Sequence, residues 1–133
     1  MDFLTGPFNH DMMILVMLDL YPELRPGVDY QVAQQEGGPP FFAQWKSGMK
    51  PPNADLLFSE FKKDEHKYRD RYIRMYRGAC LASSDARVPG DVPEDSPYRA
   101  KMEEWKTYRQ ALRDVTAQDG YPFTLQWPTM PVD

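Results

Sequence analysis

Apolar residues form one short uninterrupted run near the start of the chain, from Met12 to Leu18. Asn9 precedes the run and is a residue type that caps helix N-termini, whereas Pro22 cannot continue a helix. The run is far shorter than the ~20 residues that a membrane-spanning helix needs. The pattern therefore predicts a short buried helix that begins near His10 and ends near Tyr21.

Apolar and polar residues alternate over residues 28–34, which is the period of a half-buried strand. Residues 36–40 then have the glycine and proline content of a turn, and residues 41–46 resume a strand-like pattern. Two such runs joined by a turn predict a β-hairpin. We therefore expect residues 1–53 to form an N-terminal segment made of one helix and one hairpin.

The longest amphipathic stretch lies within residues 54–82, directly after Asn53, a second residue suited to capping a helix. At about 100° per residue its apolar side chains fall on one arc, and most of them are aromatic. One small hairpin covers too little area for this arc, so we expect a homo-oligomer, most simply a dimer. The residues expected at the dimer contact are Phe61, Tyr68, Tyr72 and Met75.

Residues 83–97 combine Ser, Gly, Pro and acidic side chains and offer little to bury, which predicts a flexible acidic linker. Residues 98–133 begin with a second amphipathic helix and end in a tail whose prolines exclude a helix or a central strand. The predicted fold class is α+β. It comprises an N-terminal helix plus β-hairpin, a long amphipathic helix, and a C-terminal helix with an extended proline-containing tail.

Composition narrows the class of protein. Of 133 residues, 41% are hydrophobic, which is enough for a core, and the net charge of −4 gives no overall positive field to attract nucleic acid or membranes. The single cysteine cannot form an intrachain disulfide, and the start of the sequence lacks the cationic region of an export signal. We therefore expect an intracellular protein.

The residue types that catalysis and metal binding require are scarce. His10, His66 and Cys80 are too few for a four-ligand zinc site, and no nucleotide-binding or nucleophile-elbow motif occurs. We therefore expect no enzymatic activity, no cofactor and no small-molecule substrate. Residues 62–77 carry a basic arc, but the tyrosines of the same helix point away from it, which favours a solvated face over a nucleic-acid groove.

The C-terminal part is rich in the residue types that concentrate binding energy at protein interfaces, and its prolines reduce the entropy lost on docking. The predicted protein-binding residues are Trp105, Tyr108, Arg109, Leu112, Arg113, Trp127, Pro128 and Pro131. The alternative interpretation is that Trp105, Tyr108 and Leu112 are the core stripe of the last helix.

This C-terminal pattern resembles the ending of tail fibre assembly chaperones of tailed bacteriophages. In that family a helix with W-x-x-Y-R-x-x-L-R-D precedes a short tail with W-P and a final proline, and residues 103–131 follow this pattern. Residues 14–57 are more weakly similar to XkdW-like prophage proteins, through Leu20-Tyr21-Pro22 and the two predicted strands. The middle helix and the acidic linker carry no resemblance.

The resemblance implies a phage protein that acts in the host cell cytoplasm. It would bind a newly made tail fibre or receptor-binding protein and assist its folding, trimerisation or attachment. The same ending also occurs in small structural components of the tail or baseplate that remain in the virion, so this alternative stays open. A third alternative, a phage inhibitor of a host protein, is neither supported nor excluded by the sequence.

Overall fold

A computed structural model describes residues 2–132 of the chain. The chain divides into two compact units, and the boundary lies between Tyr72 and Ile73. We call them the N-terminal unit and the C-terminal unit. The helices and strands are α1 (His10–Leu20), β1 (Tyr30–Gln34), β2 (Pro40–Trp45), α2 (Ala54–Lys63), α3 (Glu65–Ser84) and α4 (Arg99–Arg113).

These elements confirm the predicted α+β class, with helix as the larger part. Short 3₁₀ turns lie at Asp2–Leu4, Asp85–Arg87 and Asp114–Ala117. The boundary between the units falls within α3, so the first turns of this helix belong to one unit and its last turns to the other. None of the described helices combines the length and apolarity that a membrane span requires.

Helix α1 begins where the sequence predicts, because the Asn9 side chain accepts a hydrogen bond from the backbone N–H of Met12 at 3.0 Å. Its side chains form much of the core of the N-terminal unit together with residues of α2 and β1. The fully buried members of this core include Met12, Met13, Val16, Met17, Tyr30, Leu57 and Phe61.

The predicted hairpin is present. Strands β1 and β2 pair antiparallel from Tyr30 opposite Trp45 to Gln34 opposite Pro40, with a bulge where the register shifts between Gln31 and Val32. The connecting turn contains Gly37 at a φ of +76°, a conformation that favours glycine. Both strands contact α1, so the hairpin is stabilised by packing on a helix, as two isolated strands require.

The single helix predicted within residues 54–82 is two helices in the structure, because α2 ends and α3 begins on either side of Asp64. Asp64 has φ −127° and ψ 39°, outside the helical region, and its carbonyl accepts the backbone N–H of Tyr68. Aspartate competes with helical hydrogen bonding, and this favours caps over helix interiors. The hydrophobic periodicity continues across the break, so the pattern alone did not reveal it.

The aromatic arc expected at a dimer contact is largely buried within the chain. Phe61, Tyr68 and Tyr72 are 1%, 3% and 5% exposed, and only Met75 is open, at 57%. The N-terminal segment covers the arc: the ring of Phe8 lies 4.9 Å from that of Phe61, and the Tyr72 hydroxyl donates to Asp11 at 2.8 Å. Sequence reasoning overlooked that the residues before α1 supply this aromatic cover.

In the C-terminal unit, α4 packs its apolar face against the last turns of α3 and the segment that follows them. Trp105, Tyr108 and Leu112 form a buried cluster. The partly buried side chains around it are Cys80, Leu81, Val88 and Trp127. The core stripe predicted for the last helix is therefore present, and it faces the interior of its own unit.

The segment 83–97, predicted as a flexible linker, begins with the last two residues of α3 and the 3₁₀ turn Asp85–Arg87. Its remaining residues form no helix or strand, and the segment contacts α4 at several points. The hydroxyl of Tyr98 donates to the Arg87 carbonyl at 2.6 Å, and the Arg99 guanidinium donates to the Val92 carbonyl and to Glu94. Val88 packs on the buried cluster. Mobility of this segment stays a prediction, and its contacts to α4 are concentrated in residues 84–94.

Candidate protein-binding site

Helix α4 positions the aromatic residues of the predicted motif by its own periodicity. Trp105 and Tyr108 lie one turn apart with their ring centres 5.7 Å apart in an edge-to-face arrangement. The guanidinium of Arg87 lies 4.8 Å from the Trp105 ring centre, a cation–π contact. Trp105 is 3% exposed, so its ring cannot contact a partner while the unit is folded.

Arg109 is the buried charge of this unit. Its guanidinium donates to the Leu81 carbonyl at 2.6 Å, to the Ser84 hydroxyl at 2.6 Å and to the Asp85 carboxylate at 2.7 Å. These bonds satisfy much of a group that is costly to bury unpaired. Arg109 therefore fastens the end of α3 to α4 and does not point to solvent.

Tyr108 lies beside Cys80 of α3 inside the same unit. Burial, followed by the neighbouring Cys80 thiol, raises the pKa of the Tyr108 hydroxyl to about 12. The hydroxyl therefore stays neutral at physiological pH. Together with Leu112, which is fully buried, Tyr108 serves the interior of the unit.

The tail after α4 follows a path fixed by a few specific contacts. Gly120 has φ +80°, and a Cβ at this position would lie 2.1 Å from the Thr124 hydroxyl, so a glycine is required there. The Gln118 amide donates to the carbonyl of Gln126 and accepts its N–H, at 2.9 and 2.8 Å. The tail is thus ordered by hydrogen bonds despite its lack of regular structure.

The end of the tail returns alongside α4. The Trp127 ring packs edge-to-face on Tyr76 of α3 with 5.3 Å between ring centres, and the Lys101 ammonium donates to the Val132 carbonyl at 2.5 Å. The peptide bond between Tyr121 and Pro122 is cis. The extended tail of the prediction is therefore folded back onto its own unit.

An open groove of about 740 Å³ lies between the solvent side of α4 and tail residues 128–132. We call it the α4–tail groove. Its lining residues are Ala100, Glu103, Glu104, Thr107, Tyr108, Ala111, Pro128, Thr129, Met130, Pro131 and Val132. Small helix residues and tail prolines give it an apolar floor, and Met130 and Val132 project at 60% and 78% exposure.

The charges on the helix side of the groove are balanced within α4. Lys101 pairs with Glu104 at 2.9 Å, and Lys106 pairs with Glu103 at 3.2 Å. Both are exposed pairs three residues apart, which contribute little to stability. The groove therefore presents apolar surface with a polar rim and no excess charge, as is typical of protein-binding surfaces.

The structure separates the predicted protein-binding residues into two groups. Trp105, Tyr108, Arg109 and Leu112 are buried, whereas the remaining four retain exposed surface. Of these four, Pro128 and Pro131 line the groove, Trp127 directly precedes its tail side, and Arg113 lies at the end of α4 without lining it.

Sequence reasoning missed the helix side of the groove. Ala100, Thr107 and Ala111 follow one another at helical spacing on a face adjacent to the aromatic stripe. Small residues repeated at this spacing are the signal that would have identified a shallow groove on α4. The conspicuous aromatic residues directed attention to the buried face instead.

The basic arc of residues 62–77 is largely neutralised by carboxylates of the N-terminal unit. Lys67 and Arg71 both contact Asp19, at 3.1 and 2.8 Å, and Arg69 contacts Glu65 at 2.7 Å. Burial raises the pKa of Asp19, but hydrogen bonds from Arg71 and Lys67 outweigh it and hold the pKa below its usual value. The solvated-face interpretation of this arc stays a prediction.

No group of three or more His, Cys, Asp or Glu side chains that could hold a metal ion occurs within residues 2–132. The His10 ring nitrogen lies 2.9 Å from the Asp11 carboxylate, and both side chains are exposed. Such a surface pair requires no function.

The C-terminal half of the chain is similar to a known protein family. Residues 70–132 match the family model of the phage tail assembly chaperone protein. This confirms the resemblance inferred from the C-terminal motif and extends it over the last turns of α3 and residues 83–97, where no resemblance was identified. No curated protein and no solved structure matches the chain significantly.

Proposed function

We propose, from the match of residues 70–132 to the phage tail assembly chaperone family, that the protein binds a newly made tail fibre or receptor-binding protein. It would assist the folding, trimerisation or attachment of that protein in the host cell cytoplasm. The family match supports the coarser role, tail assembly chaperone, and suggests a non-enzymatic function. The fibre as client is our own extension of that role.

The α4–tail groove is the observation that carries the proposal. It lies within the matched region, its floor is apolar, and its tail side exposes Met130 and Val132 to solvent. Incompletely assembled fibre subunits expose apolar surface and unpaired strand edges, so a chaperone for them needs an apolar surface that is open. We infer that Trp127, Pro128 and Pro131 contact the client.

The buried part of the motif has a different role in this proposal. Trp105, Arg109 and Leu112 hold α4 in place and thereby shape the groove without contacting the client. Tyr108 belongs to the same buried cluster and also contributes its small exposed surface to the lining of the groove. Arg113 is exposed at the end of α4, and its side chain extends the surface available to a partner. The motif thus combines buried residues that hold α4 in position with residues whose exposed surface is available to a partner.

The test is co-expression of the protein with the fibre genes encoded next to it, followed by pull-down. Thr107→Arg places a long charged side chain in the groove, and Gln110→Arg places the same side chain on an exposed α4 position outside it. We expect Thr107→Arg to reduce client capture by about tenfold or more, the scale of an interface hot spot, and Gln110→Arg to leave it unchanged.

Equal capture by both variants would contradict the groove as the client site. Analysis of purified phage particles addresses the structural alternative, because a chaperone is absent from them whereas a tail or baseplate component is retained. Capture of a host protein in place of any phage tail protein would favour the inhibitor alternative.

A further inference from the structure

The C-terminal tail is firmly attached to its unit as far as Trp127. The Gln118 amide makes two hydrogen bonds with the backbone of Gln126, and the Trp127 ring packs on the buried cluster and on Tyr76. These contacts combine hydrogen bonds with partly buried apolar surface, so they resist local opening. The tail therefore reaches residue 128 in a defined position.

Residues 128–132, which we call the strap, are attached much less firmly. Within the part of the chain that the structure describes they make one hydrogen bond, which the Lys101 ammonium donates to the Val132 carbonyl. The side chains of Thr129, Met130 and Val132 are exposed. A segment with few hydrogen bonds and little buried apolar surface opens at a low cost in free energy. The strap is therefore held at its two ends, and the end that follows the anchored tail is the more strongly held.

Two prolines make the strap stiff. Pro128 and Pro131 have a φ that their rings fix at about −65°, and they carry no backbone N–H. Both also line the α4–tail groove, whose other side is formed by α4. Because a stiff segment moves as one piece, release of its last residue displaces the whole tail side of the groove.

Helix α4 positions the residue that holds the far end of the strap. Lys101 lies in the first turn of α4, and its ammonium also contacts the Glu104 carboxylate at 2.9 Å. This exposed ion pair contributes little to stability, but it restricts the positions that the ammonium can take. The acceptor on the strap is a backbone carbonyl, so the contact does not depend on the side chain at position 132.

We propose that the strap is a movable wall of the α4–tail groove and that Lys101 is the positioning residue that holds it in place. This inference rests on the proposed function, because it takes the groove as the client site. While Lys101 is bound to the strap, the groove has both of its sides before a client arrives. The client then avoids the entropy cost of ordering the strap, which would otherwise reduce its affinity.

The hold of Lys101 on the strap is tested without any client. Lys101→Met removes the ammonium and keeps most of the side-chain length. In ¹⁵N relaxation measurements it should lower the order parameters of the strap amides to below about 0.6, the range of flexible backbone. Lys101→Arg keeps a cationic donor and should retain the wild-type values.

Lys106→Met is the matched control for Lys101→Met. Lys106 also lies on α4 and pairs with a glutamate three residues away, Glu103, but it donates no hydrogen bond to the tail within residues 2–132. The control should leave the strap amides unchanged. Both methionine variants should melt at the wild-type temperature, because neither lysine belongs to the buried cluster.

The effect on the client is measured with the phage tail protein that co-expression and pull-down identify. Lys101→Met should raise the dissociation constant about three- to tenfold, because the client must then order the strap itself. Lys101→Arg and Lys106→Met should leave the constant at its wild-type value.

Four results would overturn the proposal. They are strap amides that stay ordered in Lys101→Met, equal effects of Lys101→Met and Lys106→Met, a failure of Lys101→Arg to retain the order, and a mobile strap without loss of client affinity. If the wild-type protein captures no phage tail protein, the proposed function is wrong. The relaxation data then still decide whether Lys101 holds the strap.

Discussion

The two units each bury the aromatic face of a helix, but the material that covers the face differs. In the N-terminal unit the cover is apolar: α1 contributes fully buried methionines, and Phe8 packs on Phe61. In the C-terminal unit the cover is the end of α3, the irregular segment after it and a folded-back tail. A buried arginine fastens part of this cover to α4.

The difference shows how a groove arises on a small protein. A regular apolar helix such as α1 fills the space against its neighbours. Lys67 and Arg71 pair with Asp19 near the surface of the N-terminal unit, whereas Arg69 is buried and pairs with Glu65. An irregular tail contacts α4 at separate points, near Trp127 and at Val132, and leaves the α4–tail groove between them. Loops and tails carry function more often than core helices for this reason.

The largest effect we expect is on stability, from removing one core aromatic in each unit. Trp105→Ala and Phe61→Ala each delete a ring that is at most 3% exposed, and each should lower the free energy of unfolding by about 3–5 kcal/mol. Denaturant titration followed by circular dichroism measures the loss. Hydrogen exchange shows which unit loses protection.

The same pair of variants decides between core and contact roles for the motif tryptophan. If Trp105 were a client contact on the surface, Trp105→Ala would melt like the wild type while Phe61→Ala would not. Loss of protection confined to α4 and its neighbours after Trp105→Ala is the result that agrees with the buried position.

The secondary structure could largely be predicted from the sequence. Asn9 and the alternation over residues 28–34 identified α1 and the hairpin because caps and periodicity are local properties. The apolar stripe of α4 was predicted for the same reason. The residues that cover each apolar face could not be predicted in this way, since Phe8 and Trp127 reach their partners across long separations in sequence.

The candidate site was predicted only in part, and Arg109 shows why. Its helical position placed it among apolar residues, which the pattern revealed, but its partners lie more than twenty residues earlier in the chain. Without knowledge of those oxygen partners, an arginine in an apolar stripe is interpreted as a protein-binding residue. Pro128 and Pro131 were identified from residue type, whereas the small residues of the groove carry no chemical signature.

The second-largest expected effect is the loss of stability on removing the polar contacts of Arg109, which distinguish the C-terminal unit from the N-terminal unit. Arg109→Met keeps much of the side-chain volume but leaves the Leu81 carbonyl and the Asp85 carboxylate without their donor. We expect the C-terminal unit to lose about 2–3 kcal/mol of stability, the scale of hydrogen bonds to a charged group. Thermal melts and denaturant titration measure it.

Arg113→Met is the matched control for this substitution, because Arg113 lies one turn further along α4 and its side chain is exposed. It should change stability by no more than about 0.5 kcal/mol, as exposed substitutions do. Similar losses from both variants would mean that the Arg109 bonds do not hold the unit together.

The smallest effect concerns acid, and it belongs to the N-terminal unit. Hydrogen bonds from Arg71 and Lys67 outweigh the burial of Asp19 and lower its pKa, and a hydrogen bond from Lys62, with one from Arg69, lowers the pKa of Glu65. A lowered pKa in the folded state contributes stability that is fully present above the unfolded value of about 4. This contribution is lost as the pH falls through the folded value.

We therefore expect the denaturation midpoint of the N-terminal unit to decrease as the pH is lowered from about 5 to about 2. Asp19→Asn should lower stability at neutral pH by about 0.5–1 kcal/mol or less, because the pair is partly exposed, and should flatten the acid dependence. Glu23→Gln alters an exposed carboxylate without an ion-pair partner in residues 2–132 and should preserve the wild-type curve. An acid profile that Asp19→Asn leaves unchanged would show that the Asp19 ion pairs do not stabilise the unit, and that its apolar cover suffices.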